Sequence, residues 1–361
     1  MEITGKLTPI LYKYLNTDKR HVIFFIQVIL SLFKVQTINL KKLSESIESR
    51  ANTDSRYRRT QRFFSNFRFD YDAIAKIIYF IFDFSNLKYY LILDRTNWKF
   101  GKRNINILFL CLSYKNIAVP IYWLVLNKQG NSSTRERCAL INRFIKIFGS
   151  KNIIAVLGDR EFIGHDWFKF LELKNLGFFI RVRKSDRLGN KKKVCSLFYN
   201  LPLNAVMFYK NKTVNKIKVN ITGVRLSSKE LLIIVTNKDS ASAVEAYKER
   251  WQIETLFGCL KTKGFNFEDT HITKLDRIKK LVAVLAITFS IAYIFGKWRH
   301  ENIKNITIKK HGRAQYSYFR YGLTFIRDHI FTGNKLIKKI RKLLDLLSEK
   351  LMQCYNKDLL A

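Results

Sequence analysis

Five short runs rich in branched and aromatic residues, separated by two helix-patterned segments, constrain the middle of this chain more than any other feature. YYLIL (89–93), INILFLCLSY (105–114), AVPIYWLVL (118–126), IIAVLG (153–158) and FFIRVRK (178–184) are short, bounded by polar residues and largely apolar. That is the pattern of strands buried on both faces. TRERCALINRFIKIF (134–148) and a segment starting near HDWFKFLELKNLG carry apolar residues at helical spacing. The order is therefore three strands, helix, strand, helix, strand. Close spacing of the first three strands fits hairpins, whereas an intervening helix permits parallel pairing. The expectation is an α/β fold in which a mixed sheet is flanked by helices.

The flanking segments divide the 361 residues into further regions, and a chain of this length suffices for two or three domains. Residues 1–86 read as a helical N-terminal region, 87–184 as the first part of the α/β core, and 185–238 as a β-rich antiparallel insertion containing AVMFY, KIKVNITGV and ELLIIV. Residues 239–299 read as the second part of the core, and 300–361 as a basic C-terminal region. In that last region LIKKIRKLLDLL is a candidate contact for a second copy of the chain, or a helix folding back on its own domain. The longest apolar run, Leu281 to Phe295, is shorter than the roughly 20 residues a membrane span requires. It reads as a buried core helix, with no membrane partner. The first residues lack the basic, apolar and small-residue succession of a signal peptide, so a cytoplasmic, nucleoid-associated location is expected. The five cysteines are scattered singly, which indicates neither a zinc site nor a disulfide framework.

Charge supplies the partner class. Lys and Arg total 66 against 28 Asp and Glu, a formal net charge of +38 spread along the whole length; such an imbalance implies an anionic partner, and nucleic acid outranks a lipid surface. Within the N-terminal region, SRYRRTQRFFSNF interleaves Arg58, Arg59 and Arg62 with aromatic residues. A helix there would pack its rings and offer arginines to phosphates; a merely solvated basic face carries equal weight.

Chemistry concentrates in YKERWQIETLFGCLK (247–261). On an ideal helix, at about 100° per residue, Tyr247, Arg250, Glu254 and Lys261 fall within an arc of roughly 60°, while Glu249 points roughly 140° away. Trp251 and Gly258 flank this stripe, and Ala246, Ile253, Leu256, Phe257 and Leu260 form a separate apolar stripe suited to a core. Two more acids stand out, because YYLIL ends in Asp94 and IIAVLG ends in Asp159, and carboxyl ends of buried strands are where open α/β sheets build sites. For either aspartate alone, a turn or a cap is the commoner reason for its presence. Two such aspartates with a helix-borne glutamate bring together three hard oxygen ligands. Crowded carboxylates repel one another, and Mg²⁺ relieves that repulsion; two such ions about 4 Å apart support in-line attack on phosphorus.

The spacing of Tyr247, Arg250, Glu254 and Lys261, with the contexts LDRTNW and GDREFIG around Asp94 and Asp159, resembles the IS4 family of insertion-sequence transposases. The resemblance covers about residues 55–300. It implies a ribonuclease-H-like fold, a β-rich insertion before the glutamate helix, and a catalytic, metal-binding triad of Asp94, Asp159 and Glu254 served by Mg²⁺, with Mn²⁺ as substitute. It further implies that Tyr247, Arg250 and Lys261 hold phosphates of the element's end. Trp251 stacks on an unpaired base or packs in a core, and Arg160 and Asn97 support the acids or a phosphate. The partners implied are double-stranded DNA, both terminal inverted repeats and target, and a second copy of the chain on paired ends. A ribonuclease-H-like nuclease without strand transfer shares the triad, and a catalytically silent DNA-binding protein shares the charge.

Overall fold

The computed structural model describes residues 2–330, 345, 349 and 351–353. The segment LIKKIRKLLDLL, apart from Asp345, and Cys354 lie outside the described residues. Two compact units emerge, and they do not follow chain order. One holds the residues up to Asn86, Trp98–Arg103 and the chain from Phe257 onward; the other holds Leu87–Asn97 and Asn104–Leu256. The segment 239–299, read from sequence as one stretch of core, is thus divided between Leu256 and Phe257.

The second unit is organised by an eight-stranded sheet. Its strands are β1 (Tyr89–Phe100), β2 (Arg103–Tyr114), β3 (Ile117–Leu126), β4 (Ile153–Gly158), β5 (Phe178–Arg181), β6 (Val206–Val214), β7 (Ile217–Arg225) and β8 (Leu231–Thr236), in the spatial order β3-β2-β1-β4-β5-β8-β7-β6. β2 and β3 are antiparallel, joined by Lys115 and Asn116, both left-handed at φ 42 and 68, as a two-residue hairpin turn requires. β1, β4 and β5 are parallel neighbours. Helix α6 (Thr134–Phe148) links β3 to β4, and α7 (His165–Leu173) links β4 to β5. The sequence marks both ends of α6: Ser133 and Glu136 form a capping box, and Gly149 closes the helix at φ 73. The strands of 185–238 are antiparallel, as expected, but they extend the core sheet, with β8 pairing to β5.

One long helix was expected through YKERWQIETLFGCLK, and the chain departs from that. Helix α8 (Ala243–Lys248) ends in a 3₁₀ turn, Glu249–Trp251, and α9 (Gln252–Leu260) follows. The tighter turn places Gln252 so that its side-chain carbonyl accepts from the Tyr114 backbone N–H at 3.3 Å while its amide donates to Glu249.

The other unit is helical: α1 (Glu2–Leu15), α2 (Lys19–Val35), α3 (Leu40–Ser46), α4 (Thr53–Asn66), α5 (Tyr71–Ile81), α10 (Leu275–Asn302) and α11 (Tyr318–Ile330). α10 is longer than its apolar run and, by length and composition, long enough to cross a membrane; 83% of its most apolar window is nevertheless buried inside the protein, which makes it a core helix. α10 and α11 cross at glycines. A Cβ at Gly296 would lie 1.8 Å from the Tyr318 carbonyl oxygen, and one at Gly322 would lie 1.9 Å from that of Ala292.

Candidate active site

The site begins where β1 and β4 run side by side. Leu93 and Gly158 are register partners in this parallel pair, whose strands lie about 4.8 Å apart, so Asp94 and Asp159 are the first residues beyond the pairing on either side. Asp159 follows the end of β4, as the sequence suggested. Asp94 does not end its strand: β1 continues to Phe100 alongside β2, and Asp94 sits where pairing with β4 stops.

The glutamate helix reaches these acids through two side chains. Arg250, in the 3₁₀ turn, donates from Nη1 to Asp94 Oδ2 at 3.0 Å and from Nη2 to Glu254 Oε1 at 2.8 Å. Tyr247, at the end of α8, donates its hydroxyl to Asp159 Oδ1 at 3.4 Å. The Arg250 side chain is only 6% exposed, that of Asp94 19% and that of Glu254 58%. Tyr247 is fully buried. Five residues singled out from sequence are thus brought together, with Tyr247 and Arg250 turned toward carboxylates.

Burial pushes the Asp94 carboxyl up to about 6; Arg250 and the Arg95 backbone N–H oppose this, while Asp159 and Glu161 add to it. Burial also holds the Tyr247 hydroxyl well above its ordinary range against the opposing Arg250 charge, so Tyr247 serves as a donor. For Arg250 itself, burial disfavours the charge, but Tyr247, Asp94, Asp159 and Glu254 together outweigh it and raise the guanidinium pKa.

Three oxygen-bearing acids, one of them half-buried and reluctant to ionise, are the donor chemistry a hard divalent cation prefers. Among the described residues no three acids, histidines or cysteines stand close enough to form a ready-made metal cage; here the guanidinium balances Asp94 and Glu254. The residues fit the cation by chemistry, with Arg250 occupying the counter-charge role.

The remaining expected residues have surroundings of their own. Lys261 falls just past α9 in the helical unit, paired with Glu268 at 2.7 Å and with its Nζ 5.8 Å from the Trp98 ring centroid. Trp251 is 40% exposed, edge-on to Tyr247 at 5.9 Å. Arg58, Arg59 and Arg62 are exposed on α4, with the Arg59 guanidinium 4.4 Å over Phe24. Arg160 and Asn97 are exposed. The space beside Gly258 belongs to Lys263, 3.3 Å from where a Cβ would stand. His165 opens α7, as expected, and its Nδ1 lies 3.1 Å from the Asn215 carbonyl oxygen.

The sequence reading missed a second group beside the aspartates. Arg95 donates Nε to both Glu161 oxygens at 2.8 Å and Nη1 to Asn106 at 2.9 Å. Arg137, buried, donates to the Glu161 and Ser132 carbonyl oxygens. The available signal was an arginine directly after each aspartate, in LDR and GDRE, with a glutamate following the second.

A mixed sheet with acids on two adjacent parallel strands, approached by a glutamate from a later helix, defines the class of DDE recombination enzymes. Residues 81–291 match the family described as Transposase DDE domain, and the chain belongs to it. It is a DNA transposase, an enzyme of metal-dependent DNA cleavage and strand transfer. A solved piggyBac transposase synaptic complex with hairpin DNA is similar at 14% identity and a TM-score of 0.45, over 92% of this chain and 76% of that one. No curated protein matches the chain.

Proposed function

We propose that Asp94, Asp159 and Glu254 are the catalytic acids, that they hold Mg²⁺ with Mn²⁺ as substitute, and that the enzyme cuts and joins the ends of an insertion sequence of the IS4 kind. The observation that carries this reading is the coupling of all three acids through one short segment. Arg250 ties Asp94 to Glu254, and Tyr247 touches Asp159. Bound cations supply activation of a water or 3′ hydroxyl and stabilisation of the leaving oxygen.

This chain's own residues do the positioning. β1 and β4 fix two acids side by side, and α9 brings the third. Arg250 offers a planar fork suited to a phosphate once its carboxylates are balanced otherwise. The exposed Trp251 ring is available to stack on a base. Lys261 contacts a phosphate only by exchanging Glu268 for it, and Arg58, Arg59 and Arg62 add sequence-independent phosphate contacts. Pairing two ends requires two active sites, hence a homodimer on DNA, in the compartment that holds the element's DNA in a bacterial cell.

The test mixes purified protein with labelled end DNA and a target plasmid. Nicking in Mg²⁺ or Mn²⁺, none in chelator, and joined products sized as two ends per dimer are expected. Cutting without joined products favours the nuclease reading, and cutting that persists in chelator removes the metal assignment.

A further inference from the structure

We infer that Arg95 and Glu161 form a positioning pair that fixes the separation of Asp94 and Asp159. The inference rests on the triad reading above and adds two residues to it. Arg95 immediately follows Asp94 on β1, and alternation along a strand sends it to the opposite face. Glu161 lies two residues after Asp159, inside a tight turn closed by the Phe162 N–H donating to the Asp159 carbonyl at 2.8 Å. The pair therefore links the segment leaving one aspartate to the segment leaving the other.

The geometry is that of a clamp. Arg95 Nε reaches both Glu161 oxygens, its Nη2 lies 2.7 Å from Oε2, and both side chains are 15% exposed. A forked guanidinium fixes orientation as well as distance, which a lysine cannot do. Both ends of the clamp are themselves held. Arg95 Nη1 donates to Asn106, which is fully buried and donates in turn to the Lys128 and Gly130 carbonyl oxygens. Glu161 is gripped through its backbone carbonyl by Arg137 at 2.9 Å. The Arg137 guanidinium lies 4.9 Å over the Phe162 ring, and Phe162 packs so closely on Gly158 that a Cβ there would meet it at 2.9 Å.

Neither side chain donates to or accepts from a triad carboxylate, so each acts through the backbone on which an aspartate sits. Partners that orient metal-binding side chains typically contribute about 10–100-fold to metal affinity or activity. A surface ion pair would contribute almost nothing.

Arg95→Gln, Glu161→Gln, the double variant and Arg95→Lys should be compared in the full chain. The readouts are end cleavage as kcat and KM for DNA, Mn²⁺ affinity by calorimetry without DNA, and thermal unfolding. Asp94→Asn and Asp159→Asn serve as controls. Each single glutamine variant should lower kcat and weaken Mn²⁺ binding about 10–100-fold, with KM for DNA nearly unchanged. The double variant should be no worse than the worse single, because the two groups act as one unit, and Arg95→Lys should recover only part of the loss. A double variant whose loss is the product of the singles overturns the pair. So does a lowered melting temperature with parental kcat and Mn²⁺ affinity, which assigns the network to stability alone. If Asp94→Asn and Asp159→Asn still cut, the triad reading itself fails. If they are dead while the glutamine variants are parental, only the positioning inference falls.

Discussion

Asp94→Asn should stabilise the metal-free protein at neutral pH while destroying its activity. Burial, with Asp159 and Glu161 adding to it, raises the Asp94 carboxyl from 3.8 to about 6 despite the nearby Arg250. The folded value lies above the unfolded one, so the fold favours the protonated form. Its contribution to stability is fully present below pH 3.8 and is lost as pH rises through about 6. The difference between 3.8 and about 6 corresponds to about 3 kcal/mol. Asparagine resembles the protonated carboxyl in size and charge, and Arg250 faces a neutral group in either case. Parent and variant should therefore be nearly equal in stability at about pH 4, and at about pH 7.5 the variant should be ahead by about 3 kcal/mol. For a unit of this size that is a rise of roughly 6–12 °C in melting temperature. The assay is thermal unfolding of both proteins in chelator across this pH range. Added Mg²⁺ should then raise the parent and leave the variant unmoved. A gap that is the same at both pH values, or a variant less stable at neutral pH, refutes the assignment of burial as the dominant influence on Asp94.

Glu254→Gln should abolish end cleavage while leaving unfolding and end binding near parental, whereas Glu249→Gln should cut normally with a stability change within about 0.5 kcal/mol; side-by-side cleavage assays decide, and a dead Glu249→Gln displaces the triad. Arg250→Ala strips the counter-charge from a half-buried carboxylate and should cost about 3 kcal/mol in denaturant titrations at neutral pH, much less near pH 4, where Asp94 is protonated. Gly158→Ala places a methyl 2.9 Å from Phe162, so it should cost about 1–3 kcal/mol and slow cleavage by moving the turn that carries Glu161; parental kinetics would detach that turn from Asp159. Gly322→Ala drives a methyl into the Ala292 carbonyl, where neither helix backbone can yield cheaply, and should lower the melting temperature of the helical unit without changing Mn²⁺ affinity.

The parts of this fold legible from sequence are those fixed by local pattern. α6 was expected at 134–148, which are its bounds in the structure, because its apolar residues recur at helical spacing; the capping box and the terminal glycine then hold its two ends. The strand runs were visible as apolar blocks of strand length, and Asp94 and Asp159 stood out because each follows one. Non-local pairing was hidden. Nothing in ELLIIV says that β8 joins the sheet next to β5 rather than forming a sheet of its own, since strand periodicity reports which residues are buried and not against whom. The Arg95–Glu161 pair spans 66 positions, a separation that no local pattern encodes. At Lys261 nothing in the sequence signals the ion pair with Glu268, since helical phase reports the direction of a side chain and not the partner it meets.

Arg250 shows why residue type and spacing alone leave a role unresolved. On an ideal helix it shares a face with Glu254, and an exposed arginine there reads as a phosphate ligand. In the structure the same four-residue spacing lets it pair with Glu254 while its other Nη reaches across to Asp94, and burial of the guanidinium makes those pairs worth keeping. Both terminal nitrogens are engaged, and Nε has no partner. A phosphate gripped by the fork must therefore displace at least one carboxylate, and a displaced Asp94, being half-buried, requires either a proton or another cation. Phosphate contact at Arg250 and cation binding at Asp94 are consequently linked through one side chain. Each should strengthen the other by the same factor, as reciprocity between coupled binding events demands.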